Sequence, residues 1–366
     1  MKKQTIVVKI GSSSLTNEHG EIDEQKLTTY VNAIAALKKA NHTVVLVSSG
    51  AVAAGFKQLG YASRPVTIKG RQAAAAVGQG LLIQSYNEKF QAHGLVCAQV
   101  LLTRADFTEK ERYQNAFSTM NELMHRGVVP IINENDTVVI DELTFGDNDM
   151  LSALVSGFIH ADQLIILTDI NGLYTDNPKR NPLAKKYNFL TEIDDTILSG
   201  ATAEGSNVGT GGMKSKIEAA KTALSLGVSI FIGKGEEETS LLDILEGQGD
   251  GTYISNKSFG PINTSKQWIA LHSESTGKIY IDKGAEDAIL HKGKSLLPAG
   301  IVKVKGNFSR GDVVEVHGAK GLIGKGEVGY TSDALIEEIK QRKLMKISPP
   351  SVEVIHRNRW IEMKHL

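Results

Sequence analysis

Cysteine is nearly absent. Cys97 is the only one among 366 residues, which excludes an intramolecular disulfide framework and a cysteine-based zinc site. Its neighbours Leu95, Val96, Val100 and Leu101 are apolar, so it is expected reduced, in a core strand. An excess of either charge is also lacking, since Lys+Arg and Asp+Glu both total 41. That balance argues against a strongly basic nucleic-acid binder and against an acidic disordered chain. No uncharged apolar stretch approaches the ~18 residues of a membrane helix. The N-terminal run Thr5–Val8 is cut by Lys9 and has no cleavage-type end, unlike a signal peptide. A cytoplasmic protein without membrane association is the expectation. The histidines form no metal-ligand pair, so no metal site is assigned to them, and there is no nucleophile elbow.

What is present is a globular composition, 41 % apolar and 22 % charged, with 36 glycines. At roughly 100–200 residues per domain, the length suggests two or three domains. Strand-like and helix-like segments alternate over the first part. Gln4–Ile10, Val44–Ser48, Leu95–Leu102, Val128–Ile132, Gln163–Leu167 and, last, Val228–Ile232 read as strands. Asp23–Ala40, Gly70–Phe90, Asp106–His125, Gly146–His160 and Met213–Leu226 read as helices. Pro130 places its strand at an edge or an irregular position. This alternation implies an α/β fold with an open, mostly parallel sheet sandwiched by helices. Near residue 250 the pattern changes to short β-type pieces closely punctuated by glycine. The expected division is 1–255, a linker over 256–273, and a small β-rich domain over 274–366. Residues 270–366 carry a mild excess of 16 Lys+Arg over 12 Asp+Glu.

In an open parallel sheet, ligands bind beyond the carboxyl ends of the strands. The segments that follow the strands are Gly11–Ser14, Ser48–Ala51, Asn133–Asp136 and Thr168–Asp169. Each alone reads equally as turn chemistry, but four together favour a site. Gly11–Ser14 and Gly209–Gly212 suit phosphate, because backbone N–H groups approach its oxygens where no Cβ intervenes. The second leads into Met213-Lys214-Ser215-Lys216 at a helix start, where an anion would be welcome. Lys9 ends an apolar strand and either snorkels to solvent or serves as a phosphate ligand, the reading favoured by the glycine turn that follows. Gly146-Asp147-Asn148-Asp149 opens a helix, and capping accounts for only one or two of these polar residues. Gly293-Lys294-Ser295 is not a P-loop. Gly324–Gly329 fits GxGxxG but lies outside any βαβ context, so a hairpin is expected there.

Lys9–Ser13, Ser48–Gly55, Asn133–Asp136, Phe145–Asp149, Leu167–Tyr174 and Gly209–Lys216 resemble, in order and spacing, the signature blocks of the glutamate 5-kinase branch of the amino acid kinase family. Ser295–Ile301 and Gly306–Asp312 resemble the PUA domain appended to bacterial members. The resemblance implies ATP-dependent phosphorylation of the γ-carboxylate of L-glutamate, the first step of proline synthesis. It implies that Lys9, Gly11, Ser12, Thr168, Asp169 and the loop Thr210, Gly211, Gly212, Met213, Lys214, Ser215 and Lys216 bind ATP. It implies that Ser49, Gly50, Asn133, Asp136 and Asn148 bind glutamate, and that Lys9, Asp149 and Lys216 are catalytic. It further implies Mg2+ with the ATP, feedback inhibition by proline, and a homo-oligomer, dimer or tetramer.

The chemistry agrees with this expectation. A carboxylate acceptor, which titrates near pH ~4.3 in water, needs no general base at neutral pH. The difficulty is to bring two anions together and stabilise in-line transfer. Lys9 and Lys216 suit that task, with Asp149 holding both in place. Asp136 suits the α-ammonium, and Asn148 with the Ser49–Gly50 amides suits a carboxylate. Aspartokinase, carbamate kinase or acetylglutamate kinase would share the lysines, but the blocks at Ser49 and Asn133–Asp136 favour glutamate. RNA binding by the C-terminal domain is not favoured, for want of a dense basic stripe and of aromatics for stacking.

Overall fold

Five strands are apolar almost throughout, which is what a strand covered on both faces requires. These are β1 (Thr5–Ile10), β2 (Thr43–Ser48), β4 (Val129–Glu134), β5 (Gln163–Leu167) and β7 (Ser229–Gly233). With β3 (Cys97–Leu102), β6 (Phe189–Leu190) and β8 (Gly251–Ile254) they form an eight-stranded sheet in the order β3-β4-β2-β1-β5-β7-β8-β6. The computed structural model describes residues 2–138, 148–178, 180–194, 197–198, 212–235, 237–256, 266, 268–269, 273, 275–344 and 352–362. The chain divides into two compact units, 1–106 with 114–261, and 107–113 with 262–366.

All neighbours in the first sheet are parallel except β7 and β8. Val228–Ile232, expected to be the last strand, is followed by β8, a four-residue piece too short to declare itself by periodicity. The central strand β1 pairs with β2 on one side and β5 on the other, so the connections diverge at it. The crevice for a ligand is therefore expected at its carboxyl end.

Side-chain alternation in β1 assigns its two faces. Ile6, Val8 and Ile10 join a core with Leu27, Val31 and Ile34 of α2 (Glu24–Lys39) and Leu82, Tyr86 and Phe90 of α4 (Ile68–Gln91). Lys9 therefore points to the other face, toward α7 (Asn148–Phe158). Asp23 caps α2 by accepting from the N–H groups of Gln25 and Lys26. Helix α3 (Ala51–Gly55) packs directly on α4. At their crossing, a Cβ added to Gly78 would lie 1.8 Å from the Ala51 carbonyl oxygen, so only glycine permits the contact.

Four expectations change. β4 is internal, not an edge; its ladder to β2 begins at Ile131, one residue after Pro130, which confines the missing N–H to an irregular start. The edge is β3, so Cys97 is only partly buried, with its thiol donating to Asn87 Oδ1 at 2.9 Å. Partial burial pushes that thiol up to about 11. Asp106–His125 is two helices, α5 (Arg104–Thr108) and α6 (Lys110–His125). The Gly11–Ser14 turn is a short helix, α1 (Ser12–Leu15), with Gly11 at its N-cap.

The second unit has its own sheet, ordered β10-β9-β11-β12-β13. Its strands are β9 (Ser275–Ile281), β10 (Ile301–Gly306), β11 (Val313–Gly318), β12 (Gly321–Val328) and β13 (Ile355–Glu362). Ile279, Val314, Val316, Phe308 and Trp360 form its core with Leu335 from helix 332–344. All but the last residue of the GxGxxG match, Gly324–Val328, lies in β12, which pairs with β11 and closes a hairpin at Gly318 and Gly321. Among the described residues no helix is long and apolar enough to cross a membrane.

Candidate active site

Lys9 lies one residue from the end of β1 and is 1 % exposed. Its strand neighbours are Val47 and Ile166, so the ammonium cannot snorkel sideways out of the sheet. It meets Asp149 instead, with Nζ 2.5 Å from Oδ1. Asp149 occupies the first turn of α7, where a carboxylate is favoured by the helix dipole, and it is fully buried. Lys216 approaches from the opposite side, with Nζ 2.9 Å from Asp149 Oδ2. Ser215 Oγ lies 3.0 Å from the same oxygen. Two lysines from distant segments thus converge on one carboxylate. Gly11 adjoins them; a Cβ there would stand 3.3 Å from Lys9 Nζ.

Lys216 is carried by α8 (Met213–Ser225), whose N-cap is Gly212. Among the described residues no side chain caps that end, and no acid lies in its first turn, which leaves its leading N–H groups suited to an anion. Lys214 is exposed and lies 3.8 Å from Glu218, one turn on. Met213 lines a cleft with Ile170, Leu173, Tyr174, Pro178 and Ile217. Thr210 and Gly211, like Asp147 and Gly146, lie outside the described residues. Thr168 and Asp169 follow β5; the Thr168 N–H donates to the Gly233 carbonyl at 3.0 Å and its hydroxyl to Asp169 Oδ1 at 3.1 Å.

Beside the ionic group stands a neutral one. Asn148, next to Asp149 in the chain, donates from Nδ2 to Ser49 Oγ at 2.8 Å, Asn133 Oδ1 at 2.8 Å and the Ser48 carbonyl at 3.2 Å. Asn133 in turn donates from Nδ2 to Gln79 Oε1 at 2.9 Å, and its Oδ1 accepts from the Glu134 N–H at 2.9 Å. Ser49 is tied to the end of β1 by its N–H, which donates to the Ile10 carbonyl at 3.1 Å. Gly50 follows with φ +107°, a left-handed conformation that favours glycine and turns the chain from β2 into α3. Beneath them Ser48 Oγ lies 2.8 Å from the fully buried Tyr86 hydroxyl.

Asp136 follows β4 and is half-buried. Burial pushes its carboxyl above the usual value, while the charges of Arg64 and Arg71 draw it back. Of the expected residues, then, Lys9, Gly11, Asp149, Ser215 and Lys216 form one cluster and Ser49, Asn133 and Asn148 a second, joined by the Asn148–Asp149 step. Gln79, Arg64 and Arg71 are additions that the sequence reading lacks. For Gln79 the one signal in the chain is a polar residue set in the small-residue face of α4. Among the described residues its Nε2 is buried without a partner, an arrangement that costs roughly 1–3 kcal/mol.

The amino acid kinase family profile matches residues 4–234, and the PUA domain profile matches residues 277–348. Glutamate 5-kinase 1 of Bacillus subtilis (strain 168) is 59 % identical over 364 residues, with 100 % of each chain covered. Glutamate 5-kinase 1 of Bacillus licheniformis is 59 % identical over 365 residues, again covering 100 % of both. Among solved structures, a carbamate kinase from Giardia lamblia bound to AMP-PNP matches with a TM-score of 0.52 at 17 % identity. That match covers 70 % of this chain and 99 % of the other, and is a likeness of fold.

Proposed function

The chain belongs to the amino acid kinase family, and on that premise we propose that it transfers the γ-phosphoryl group of ATP to the γ-carboxylate of L-glutamate. The products are L-glutamyl 5-phosphate and ADP. The observation that carries the reading is the convergence of Lys9 and Lys216 on Asp149, one residue from Asn148. Full-length likeness to glutamate 5-kinases supports glutamate as the acceptor. The chemistry belongs to the first unit, whose family match ends at residue 234.

The acceptor carboxylate is ionised at neutral pH, so no proton need be removed from it. Its attack on phosphorus brings negative charge against negative charge, and the site must offset that repulsion. The ammonium groups of Lys9 and Lys216, fixed from two sides by Asp149, stabilise the equatorial and leaving oxygens. Fixing them beforehand removes reorganisation from the barrier. The uncapped N–H groups of α8 and the backbone after Gly11 accept the phosphate chain, and Thr168, Asp169 and the cleft at Met213 shelter the nucleoside. Mg2+ would come with the ATP rather than be held by this chain's own residues, and would supply further neutralisation of phosphate charge. Ser49, Gly50, Asn133, Asp136 and Asn148 hold the amino acid. The setting is cytoplasmic, where both substrates occur together.

The test is ADP release by the full chain with Mg-ATP and L-glutamate, L-aspartate, N-acetyl-L-glutamate or no acceptor. Hydroxylamine in the assay traps an acyl phosphate as its hydroxamate. Turnover and hydroxamate with L-glutamate alone are expected. Turnover with another acceptor would overturn the substrate assignment, and proline titrated into the same assay tests feedback inhibition.

A further inference from the structure

The cleft at Met213 has two walls. Met213 and Ile217 of α8 supply one, and Leu173, Tyr174 and Pro178 belong to the other. That second wall grows from a narrow ribbon. Tyr174 and Lys186 form an antiparallel bridge, with the Thr175 N–H donating to the Lys185 carbonyl at 3.0 Å and the Tyr187 N–H to the Leu173 carbonyl at 2.8 Å.

A hydrogen-bonded pair in an antiparallel ladder exchanges two backbone bonds. Between Leu173 and Tyr187 one of them is direct, and the other passes through a side chain. Thr252 Oγ1 accepts from the Leu173 N–H at 2.8 Å and donates to the Tyr187 carbonyl at 2.5 Å. An N–H only donates and a carbonyl only accepts, so a hydroxyl is needed to serve both. Thr252 lies in β8 and is fully buried, as is Leu173, so solvent does not stand in for it. Gly172, at φ +121°, permits the approach, since a Cβ there would stand 2.6 Å from Thr252 Oγ1.

Asp250, two residues before Thr252, holds the same ribbon from its exposed side. Its Oδ1 accepts from Lys186 Nζ at 2.8 Å and from Asn171 Nδ2 at 3.2 Å. The hydrogen bond from Lys186 keeps its carboxyl below the usual range, so at neutral pH it only accepts. That fixes the Asn171 amide, whose Oδ1 accepts from the Tyr174 hydroxyl at 2.8 Å. A hydroxyl can donate or accept, so Tyr174 follows the amide rather than setting it. Thr252 thereby holds the backbone of the wall and Asp250 its aromatic ring, although neither lines the cleft.

We propose that Thr252 and Asp250 are positioning residues for the nucleotide, which fix the Leu173–Tyr174 wall of the cleft and so set how firmly the nucleoside is held. The proposal rests on this cleft sheltering the nucleoside of ATP. It deepens that reading by naming the two residues behind the cleft that hold its wall in place.

The test compares Mg-ATP with magnesium tripolyphosphate, which carries the phosphates and lacks the nucleoside. Kd for each is measured by calorimetry on the full chain, and their ratio isolates the share of the nucleoside. Wild type should bind ATP more tightly. Thr252→Val is close in shape and removes the hydroxyl. Its preference for ATP should fall about 10-fold, as when the competent wall is formed in about a tenth of the molecules, while the tripolyphosphate Kd stays within about twofold. Asp250→Ala alters an exposed side chain, so it should fold even where Thr252→Val does not, and its preference should fall about threefold, the worth of one net hydrogen bond. Thr252→Ser keeps the hydroxyl and Asp250→Asn keeps an oxygen for Asn171, so both should retain the wild-type preference. An unchanged preference in Thr252→Val or Asp250→Ala, equal weakening of both ligands, or a fallen preference in Thr252→Ser or Asp250→Asn would overturn the proposal. Met213→Glu tests the cleft itself by setting a carboxylate in the opposite wall, and its preference should fall. No change there would overturn the nucleoside reading of the cleft and the proposal with it. A fall there beside an unchanged Thr252→Val would overturn the proposal alone.

Discussion

Asn148 and Asp149 are consecutive, both are buried, and they organise two different kinds of site. Asp149 gathers full charges, Lys9 from the central strand and Lys216 from the first turn of α8. Asn148 gathers amides and hydroxyls and carries no charge at all. The ionic half is strong but nearly isotropic, because an ammonium answers any anion placed within reach. The amide half is weak per bond but directional, since backbone groups pin Asn148 Nδ2 and Asn133 Oδ1. Phosphoryl transfer needs the first property, as charge moves along the reaction coordinate. Choice of acceptor needs the second. A single helix start joins the two, Asn148 and Asp149 being its first two residues.

The ionic half should break most sharply. Lys9→Met removes one preorganised cation and is expected to lower kcat by roughly 10²–10³ with a small change in glutamate KM. Lys216→Met should do the same. Steady-state hydroxamate assays on folded protein check this, and wild-type kcat in either variant would end the catalytic assignment.

The acceptor side should show itself in KM, through the carboxylate Asp136 that follows β4. Asp136→Asn is expected to raise glutamate KM about 10-fold and leave ATP KM in place. Because burial holds the Asp136 carboxyl above its usual value, it takes up a proton earlier on acidification than an ordinary aspartate. Glutamate KM of the wild type should therefore begin to climb at a higher pH on acidification than an ordinary aspartate would cause, and the climb should be shallower in Asp136→Asn. Parallel pH profiles in the two proteins would remove Asp136 from the site.

His42, remote from both halves, supplies the smallest effect and a control. The Gln4 N–H donates to its Nδ1 at 3.2 Å, so the ring is neutral with its proton on a sealed Nε2. Burial lowers its pKa below 6.5. Between that lowered value and 6.5 the unfolded chain binds more protons, so this contribution to stability is complete above 6.5 and fades as pH falls. His42→Asn, which keeps an acceptor for Gln4, should flatten the fall of Tm below pH 6.5 without touching kcat. An unchanged slope would show that other groups carry the acid sensitivity.

Much of this arrangement was legible before the fold was known, and the reasons are specific. Lys9 stood out because a lysine in an apolar strand demands a partner, and the glycine after it suggested what that partner's surroundings accept. Asn148 and Asp149 stood out because capping explains only part of so polar a helix start. Whether β4 would be an edge or internal was not legible, because Pro130 allows either an edge or an irregular position, and the late start of the β2 ladder is the irregularity that lets it sit inside. β8 was too short for its alternation to register. Gln79 was hidden because one glutamine in an alanine- and glycine-rich helix reads as a surface residue. The tight crossing at Gly78 that buries this stretch depends on a neighbouring helix of five residues.

The amino-acid sequence by itself determined the layers, the polar strand ends and the types of group that meet there, because periodicity and residue chemistry are local properties. Only the tertiary structure decided which of those groups share a proton donor, which lysine faces which carboxylate oxygen, and which way each amide points. Those are relations between segments 54 to 99 residues apart, as in Asn133 with Gln79 and Asn148 with Ser49. A hydrogen bond's direction is set by the partner across the gap, and no local pattern in the chain records it.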